Sequence, residues 1–291
     1  MVLSNKTIQG AIDYNVKASQ NLWIFEKLPF YLLDKDPDSY EFYDMVVKTQ
    51  ARLNLNPDGK LGPQTLAAIS PHANRHSKLD VYGLDISKWQ KEIDWKRVRR
   101  NHPEIEFVII KAAQGTTLSE GLLQNVFQVR DLGFKLGYYV WPTPGTGGKW
   151  DVNDELTAVL KILSKVPKAD LPLALDLEAN DNKISIDQYT TWVEQFASMY
   201  SVETGNPVMI YTSEKKAKAL LRPDHNLSNL DLWCPRYGTN TGKLEDSTEP
   251  KVPHGWTKYD IWQFTSKATV SGISTNVDKN ITSKDWLNQY V

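Results

Sequence analysis

The sequence predicts an α/β fold with a parallel sheet, preceded by a small all-α domain. From residue 81 onward, short apolar runs alternate with amphipathic helical segments, which is typical of a parallel sheet, either open or closed into a barrel. Beyond Leu230 the strands follow one another without clear helices between them, so a regular eight-fold barrel is not expected. Before residue 70 the apolar residues recur at helical spacing.

The first 70 residues are predicted to be helical. One or two helices are expected between residues 8 and 30, and another where Tyr43, Val46 and Gln50 recur on one helical face. Residues 56–59 form a predicted turn, and Pro63 begins a short helix that extends to residue 69. The polar stretch at 70–78, which begins with Ser-Pro, is typical of a linker. We therefore expect domains at 1–70 and 81–291, with a linker at 71–80.

The second region is predicted to hold eight strands and four helices. Ser185 precedes the third helix and Gln188 lies three residues later, a spacing that predicts a capping box. The predicted strands cover 81–86, 107–112, 135–141, 173–177, 207–211, 230–236 and 259–264, with a last strand near Val277. The predicted helices cover 118–132, 152–164, 186–200 and 213–221.

Composition excludes some classes of partner. The chain is 24% charged with a formal net charge of −1, so it lacks the basic excess of proteins that bind nucleic acid or anionic membranes. One cysteine, Cys234, allows no intrachain disulfide, and its apolar surroundings favour a buried, inert thiol. The N-terminus does not resemble a signal peptide, and no segment has the length of a transmembrane helix. We expect synthesis in the cytoplasm, and a target elsewhere would require separate delivery machinery.

Two carboxylates at the end of one buried strand are the strongest chemical signal. The segment at 171–178 reads LPLALDLE, with Asp176 and Glu178 in an otherwise apolar run. Residues two apart on a strand point to the same side, so the two acids share a face. In barrels, active sites lie at this end of the strands. Desolvation and mutual repulsion would leave one acid protonated, as glycosidic bond cleavage requires.

Asp-X-Glu alone does not choose one function. The same pair fits a structural salt bridge with Lys or Arg, and acid clusters at strand ends also bind Mg²⁺ in phosphoryl-transfer enzymes. Two further acids favour the glycosidase. Asp85 lies within the first strand of this region, and Asp278 is expected to end the last strand. Closure into a barrel would bring these strands together and place both acids at one mouth.

Aromatic residues are abundant and concentrate near the predicted strand ends. The chain has ten Trp and thirteen Tyr, and aromatic faces suit the apolar faces of sugar rings. Most of these side chains are expected in the core. The candidates for substrate binding are Tyr139, Trp141, Tyr211, Tyr237 and Trp262.

Residues 81–291 resemble the glycoside hydrolase family 25 lysozymes, also called Chalaropsis-type muramidases. The resemblance implies an irregular barrel of five β/α units followed by three strands without helices. It also implies retaining hydrolysis of the β-1,4 bond between N-acetylmuramic acid and N-acetylglucosamine. The matching segments, in the family's order, are GLDISKWQ at 83–90, FVIIKA at 107–112, LGYY at 136–139, LALDLE at 173–178, VMIYT at 208–212, and IWQF at 261–264 with Asp278 beyond.

The resemblance also implies roles for the acids. Glu178 is the general acid and then the general base. Asp176 either orients the substrate's acetamido group or attacks directly, because an N-acetyl carbonyl can replace a protein nucleophile. Asp85 and Asp278 line the cleft. No metal or cofactor is implied. The sequence departs from many members around Tyr139, where a His-Phe pair is common, and around Cys234, where small residues are common.

The first region resembles the small helical peptidoglycan-binding domain. The matching positions are Gln50, Leu53, 58–59, 61–63, Thr65 and 68–69. Asp-Gly and Gly-Pro form the turn before the next helix, so the motif is mainly a fold signature. Ligand binding is inferred from the association with an enzyme domain.

These observations favour a modular muramidase that acts on peptidoglycan glycan strands. It would be a monomer without a membrane anchor, either a phage endolysin or a delivered wall-degrading toxin. It would reach the cell wall or periplasm by holin-type release or another route. The alternative is a non-catalytic wall glycan-binding protein, against which the four acids count. A metal-dependent phosphoesterase or a chitinase-like hydrolase would use the same acids on a different bond.

Overall fold

The computed structural model describes residues 5–19, 36–52, 55–62, 65, 79–148 and 151–290. The chain forms two compact units, Met1–His76 and Ser77–Val291. Most of the predicted linker, and the helices predicted near residues 22–30 and 64–69, lie outside the described residues apart from Thr65. No helix in the part of the chain described is both long enough and apolar enough to cross a membrane.

The first unit contains two described helices, α1 (Asn5–Ser19) and α2 (Tyr40–Arg52). Their contact buries Ala11, Ile12 and Tyr43, with Ile8 and Val47 packed against them. The helical spacing of these apolar residues in the sequence therefore matches the face that is buried. Helices predicted around residues 8–16 and 40–53 are confirmed.

The polar side chains around Gln50 stabilise a turn in this unit. The Gln50 side-chain nitrogen donates to Asp58 Oδ1 at 2.9 Å and to Thr65 Oγ1 at 2.8 Å, and its oxygen accepts from the Gly59 amide at 2.8 Å. Asn15 of α1 donates to the Gly59 carbonyl at 2.9 Å. Gly59 has φ +71°, a conformation that favours glycine. These contacts explain the motif as a fold signature, as the sequence indicated.

The second unit is a closed eight-stranded barrel. The strands of this unit are β1 (Leu79–Ile86), β2 (Ile105–Gln114), β3 (Thr117–Leu118), β4 (Lys135–Trp141), β5 (Leu173–Asp176), β6 (Val208–Tyr211), β7 (Asp231–Pro235), β8 (Ile261–Ala268) and β9 (Val277–Ser283). The barrel strands lie in the order β1-β9-β8-β7-β6-β5-β4-β2, and β2 pairs with β1 to close the barrel. Neighbouring barrel strands are parallel except for β9, which is antiparallel to both β8 and β1. The short β3 forms a hairpin with β2.

Each of the first five barrel strands is connected to the next barrel strand through a helix. Residues 236–260 and 269–276 are all described and contain no helix, so no helix lies between β7 and β8 or between β8 and β9. The five β/α units and three further strands confirm the predicted irregular barrel. The helices are α3 (Trp95–Asn101), α4 (Leu122–Asp131), α5 (Val152–Leu163), α6 (Ile186–Thr204), α7 (Glu214–Leu220) and, after β9, α8 (Lys284–Leu287).

The described helices differ from the predicted ones in their bounds and in their number. The helix predicted from residue 118 begins at Leu122, because Thr117 and Leu118 pair with β2 instead, and the helix predicted to end at residue 200 continues to Thr204. Neither α3 nor α8 was predicted, because helices of seven and four residues are too short for a clear periodic pattern. The predicted capping box at α6 is confirmed, since Ser185 and Gln188 exchange side-chain to backbone hydrogen bonds.

The barrel interior is packed at the end where the parallel strands begin. Gly83 lets β1 approach Phe107, because an added Cβ would lie 2.2 Å from that ring. The C-terminal segment closes this end, where Trp286 Nε1 donates to Asp231 Oδ2 at 2.8 Å and the Tyr290 hydroxyl also donates to Asp231. A cleft can therefore form only at the opposite end, the mouth, where the parallel strands finish.

Candidate active site

A cleft of about 770 Å³ opens at the mouth of the barrel. The structure places all four predicted acids and four of the five predicted aromatic residues on its wall. Its wall also holds polar and aromatic residues that the sequence analysis did not select. The predicted residues are Asp85, Asp176, Glu178, Asp278, Tyr139, Trp141, Tyr211 and Tyr237, and the others include Trp89, Lys111, Gln114, Leu118, Glu120, Trp233 and Gln263.

The position of Asp278 within its strand was predicted wrongly. It was expected to end the last strand, but β9 runs from Val277 to Ser283, so Asp278 lies at its start. Because β9 is antiparallel to its neighbours, its start lies at the end where the parallel strands finish. Asp278 is paired in register with Asp85 of β1. The antiparallel direction of β9 therefore places Asp278 at the mouth of the barrel.

Asp85 is fixed by two amide side chains from neighbouring strands. Gln263 Nε2 and Asn280 Nδ2 both donate to Asp85 Oδ2, at 2.9 Å and 2.8 Å. Burial raises the pKa of Asp85, these two hydrogen bonds oppose the rise, and the negative charge of Glu178 adds to it. Asp85 is therefore held in one orientation close to Asp176 and Glu178.

The two amides are themselves oriented by aromatic donors. Gln263 Oε1 accepts from the Tyr211 hydroxyl at 2.7 Å and from the Tyr237 hydroxyl at 2.5 Å. Asn280 Oδ1 accepts from Trp233 Nε1 at 2.8 Å. Each amide oxygen is thus satisfied by donors, which leaves its nitrogen for Asp85. Several aromatic side chains of the cleft serve to position polar groups as well as to line the wall.

Asp176 and Glu178 differ in their environments. Asp176 is buried, and its Oδ1 accepts no hydrogen bond from any described residue. Burial raises the pKa of Asp176 well above its usual range, and the charge of Glu178 raises it further. Glu178 is half-buried, and burial also raises its pKa. Asp176 therefore holds a buried oxygen that has no hydrogen-bond partner among the described residues, and Glu178 remains partly accessible.

Asp278, the fourth acid of the cleft, also has a raised pKa. Burial raises the pKa of Asp278, and the charges of Asp85 and Glu178 raise it further. Four acids at one mouth cannot all ionise at neutral pH, because each charge raises the pKa of its neighbours. The cleft therefore retains protons that it can donate. Among the described residues, no group of three His, Cys, Asp or Glu side chains is arranged to hold a metal ion.

Two lysines flank the acidic pair. Lys216 of α7 donates from Nζ to the backbone carbonyl of Glu178, and its positive charge lowers the pKa of both Glu178 and Asp176. On the other side, Lys111 of β2 lies over the Trp141 ring, with its Nζ 5.1 Å from the ring centroid. Burial lowers the pKa of Lys111, and the charge of Asp176 opposes this. The positive charges of Lys216 and Lys111 therefore lie close enough to the acidic pair to affect its proton affinity.

Lys216 should tune the proton affinity of Glu178. In Lys216→Met the positive charge that favours the Glu178 carboxylate is lost, so the pKa of Glu178 rises. A general acid must be protonated to act, so we expect the alkaline limb of the kcat/KM profile to move to higher pH. Lys216→Arg keeps the charge and is the matched control. An unmoved alkaline limb in Lys216→Met would contradict this role.

Trp262 does not line the cleft, and its predicted role in substrate binding is wrong for this geometry. It packs with Phe264 and Ile281 on the outer side of the sheet, and its Nε1 donates to the Arg236 carbonyl at 2.8 Å. Side chains alternate between the two faces of a strand. Because Gln263 points into the barrel, its neighbour Trp262 points away.

The sequence contained a signal for one of the cleft residues that had not been predicted, Gln263. Gln263 is a lone polar side chain between Trp262 and Phe264 in a buried strand, a pattern that marks an inward polar position. Asn280 carried no such signal, because its contact with Asp85 joins residues 195 positions apart. Only closure of the barrel brings them together.

Comparison with known proteins agrees with this architecture. The family described as "Glycosyl hydrolases family 25" matches residues 84–273, more than half of the chain. Lysozyme M1 of Streptomyces globisporus is 26% identical over 207 residues, which cover 69% of this chain and 67% of that protein. Among solved structures, the catalytic domain of endolysin ply40 from bacteriophage P40 of Listeria monocytogenes has a TM-score of 0.60 and 27% identity, covering 75% of this chain and 98% of that domain.

A second solved structure shares the fold. The bacterial lysozyme from Streptomyces coelicolor has a TM-score of 0.60 and 23% identity, covering 71% of this chain and 94% of that protein. The family match begins within β1, beyond the first unit. The resemblance found in the sequence from residue 81 is confirmed, and the chain belongs to family 25 of the glycosyl hydrolases.

Proposed function

We propose that the chain is a lysozyme that cleaves the β-1,4 bond between N-acetylmuramic acid and N-acetylglucosamine, with Glu178 as proton donor. Family membership and the similarity to a lysozyme and to an endolysin domain support hydrolysis of peptidoglycan. The observation that carries the assignment is the pair Asp176 and Glu178 at the end of one strand, within a cleft walled by acids and aromatic residues.

The proposed reaction begins with proton transfer from Glu178 to the glycosidic oxygen. The bond between that oxygen and the anomeric carbon breaks, and the electron pair leaves with the oxygen. As that bond breaks, a nucleophile forms a bond to the anomeric carbon. Water then attacks this carbon and loses a proton to Glu178, and the bond between the carbon and the nucleophile breaks. Two displacements at one carbon retain its configuration.

The environment of Asp176 favours the substrate's own N-acetyl carbonyl as the nucleophile. Burial and the charge of Glu178 raise the pKa of Asp176 well above its usual range, which disfavours the carboxylate that a direct nucleophile requires. A neutral carboxyl is a poor nucleophile but a good hydrogen-bonding group. Asp176, which lies on the cleft wall, would then orient the acetamido group of the substrate.

Digestion of purified cell walls tests this function. We expect falling turbidity, and mass analysis should find new reducing ends on muramic acid. Walls that bind the protein but remain intact would instead identify a non-catalytic binding protein. Clearing that a chelator abolishes would indicate metal-dependent hydrolysis, and new reducing ends on N-acetylglucosamine would indicate a different bond.

We also propose that the first unit binds the cell wall, and that the protein reaches it as a monomeric phage endolysin or a delivered toxin. Support comes from the motif around Gln50, whose hydrogen bonds build the turn expected for a peptidoglycan-binding domain. Holin-type release is one route by which such a protein would reach the wall or periplasm.

Removing residues 1–76 should weaken wall binding and spare chemistry. The acids and the cleft all belong to the second unit, so we expect unchanged cleavage of soluble glycan fragments. Sedimentation with insoluble walls measures the binding, and reducing-end release from fragments measures the chemistry. Equal wall affinity in the truncated and full-length proteins would exclude this role.

A further inference from the structure

One large aromatic side chain of the cleft is unusually exposed. Trp89 is 72% exposed, whereas Trp233 on the same cleft wall is 2% exposed. Burial of an aromatic side chain is strongly favourable, so an indole left in water at the rim of a cleft indicates a surface that a ligand covers. Trp89 belongs neither to the hydrogen-bond network around Asp85 nor to the hydrophobic core of the barrel.

The backbone beneath this side chain is fixed. Trp89 lies in a 3-10 turn, Lys88–Gln90, capped by Ser87. Gln90 is buried, its Oε1 accepts from the Ser87 amide at 2.9 Å, and its Nε2 donates to the Asn276 carbonyl at 3.3 Å. The indole is therefore presented from a rigid support, so covering it costs little conformational entropy.

The position of Trp89 places it away from the bond that is cleaved. It follows β1, whereas Glu178 follows β5, and the closed sheet separates these strands by β2 and β4. Leu118 of the β3 hairpin, 42% exposed, lies on the wall of the same cleft. The cleft thus extends across the mouth from the general acid to an apolar rim formed by the loops after β1 and β2.

We propose that Trp89, with Leu118, is a stacking platform for a sugar ring of the glycan strand that does not take part in the cleaved bond. This inference rests on the proposed function and adds a preference for long strands. The apolar C–H face of a pyranose ring suits an indole face. The Lys88 ammonium lies 5.4 Å from the Trp89 ring centroid, over one face, and the high exposure leaves the other for a ligand.

Binding to peptide-free glycan strands tests the platform in a Glu178→Gln background, where cleavage is expected to be strongly reduced. We expect Trp89→Ala to weaken binding roughly 3- to 10-fold, the usual range for an aromatic contact, and Trp89→Phe to retain most of it. Quenching of tryptophan fluorescence by the strands should diminish in both variants. The matched control is Phe127→Ala, an aromatic that is 49% exposed on α4 and outside the cleft wall.

Kinetics with Glu178 intact separate a remote platform from a structural role. For Trp89→Ala we expect kcat/KM to fall more on long strands than on the shortest fragments that the protein cleaves, because a strand must extend across the mouth to contact Trp89. Equal losses on both substrates, an equal loss in Phe127→Ala, or unchanged binding of long strands would each overturn the platform. If the unmodified protein cleaves walls while any of these results holds, the proposed function survives without it. Failure of the unmodified protein to cleave would overturn both.

Discussion

Replacing Glu178 with Gln should reduce the clearing of purified cell walls by about 10²–10⁴-fold, the usual contribution of a general acid. The amide has the size of the carboxyl but cannot donate a proton to the leaving oxygen. Glu178 makes no side-chain hydrogen bond to any described residue, so the fold should be unaffected. Turbidity loss and reducing-end release measure activity, and circular dichroism with thermal unfolding checks the fold.

The control for this substitution is Glu203→Gln, the same chemical change at an exposed position on α6. It should clear walls at the rate of the unmodified protein. Unaltered turnover in Glu178→Gln would refute the assignment of the proton donor.

Replacing Asp176 with Ala should lower kcat by about 10²–10³-fold, as does loss of one preorganised polar group that faces developing charge. Ala cannot orient the acetamido group. Asp176→Asn keeps a neutral hydrogen-bonding group, so we expect it to lose less activity than the Ala variant. Initial rates on soluble glycan fragments measure the difference.

The two Asp176 variants also distinguish the nucleophile. If Asp176 attacked the anomeric carbon, Asn and Ala would both abolish turnover, because neither can form the ester. Residual activity in Asp176→Asn, with retained configuration of the first-formed product by NMR, would agree with attack by the N-acetyl carbonyl. Equal and complete loss in both variants would contradict the role proposed for Asp176.

Much of the fold could be predicted because its signals are local. The run from Leu173 to Asp176 is apolar until the acid, and helical spacing marks α5 and α6 clearly. The prediction of a peptidoglycan-hydrolysing glycoside hydrolase is likewise confirmed by the family match and by similarity to a lysozyme. Helix boundaries were less predictable where strand pairing prevailed over local helix propensity. Leu118, for example, pairs with β2 in a hairpin, although a helix was expected there.

The site was predicted less completely than the fold. Tyr211 lies on the cleft wall, and its hydroxyl also orients Gln263, a contact that the sequence did not indicate. Trp262 was selected because it is aromatic, although the alternation of the strand directs Gln263 inward in its place. Residue type did not indicate these contacts, because they are determined by the face of the strand and by partners distant in sequence.

The sequence alone predicted that Asp176 and Glu178 lie together, because residues two apart on a strand point to the same side; in the structure β5 ends at Asp176, Glu178 follows it, and both acids line the cleft. The sequence also indicated the main barrel strands and the longer helices, since these depend on near neighbours. Only the tertiary structure decided that an antiparallel β9 pairs Asp278 with Asp85, and that Lys216 reaches the Glu178 carbonyl. The proton affinity of the acids was decided there too, because it depends on burial and on charges that only the closed barrel brings together.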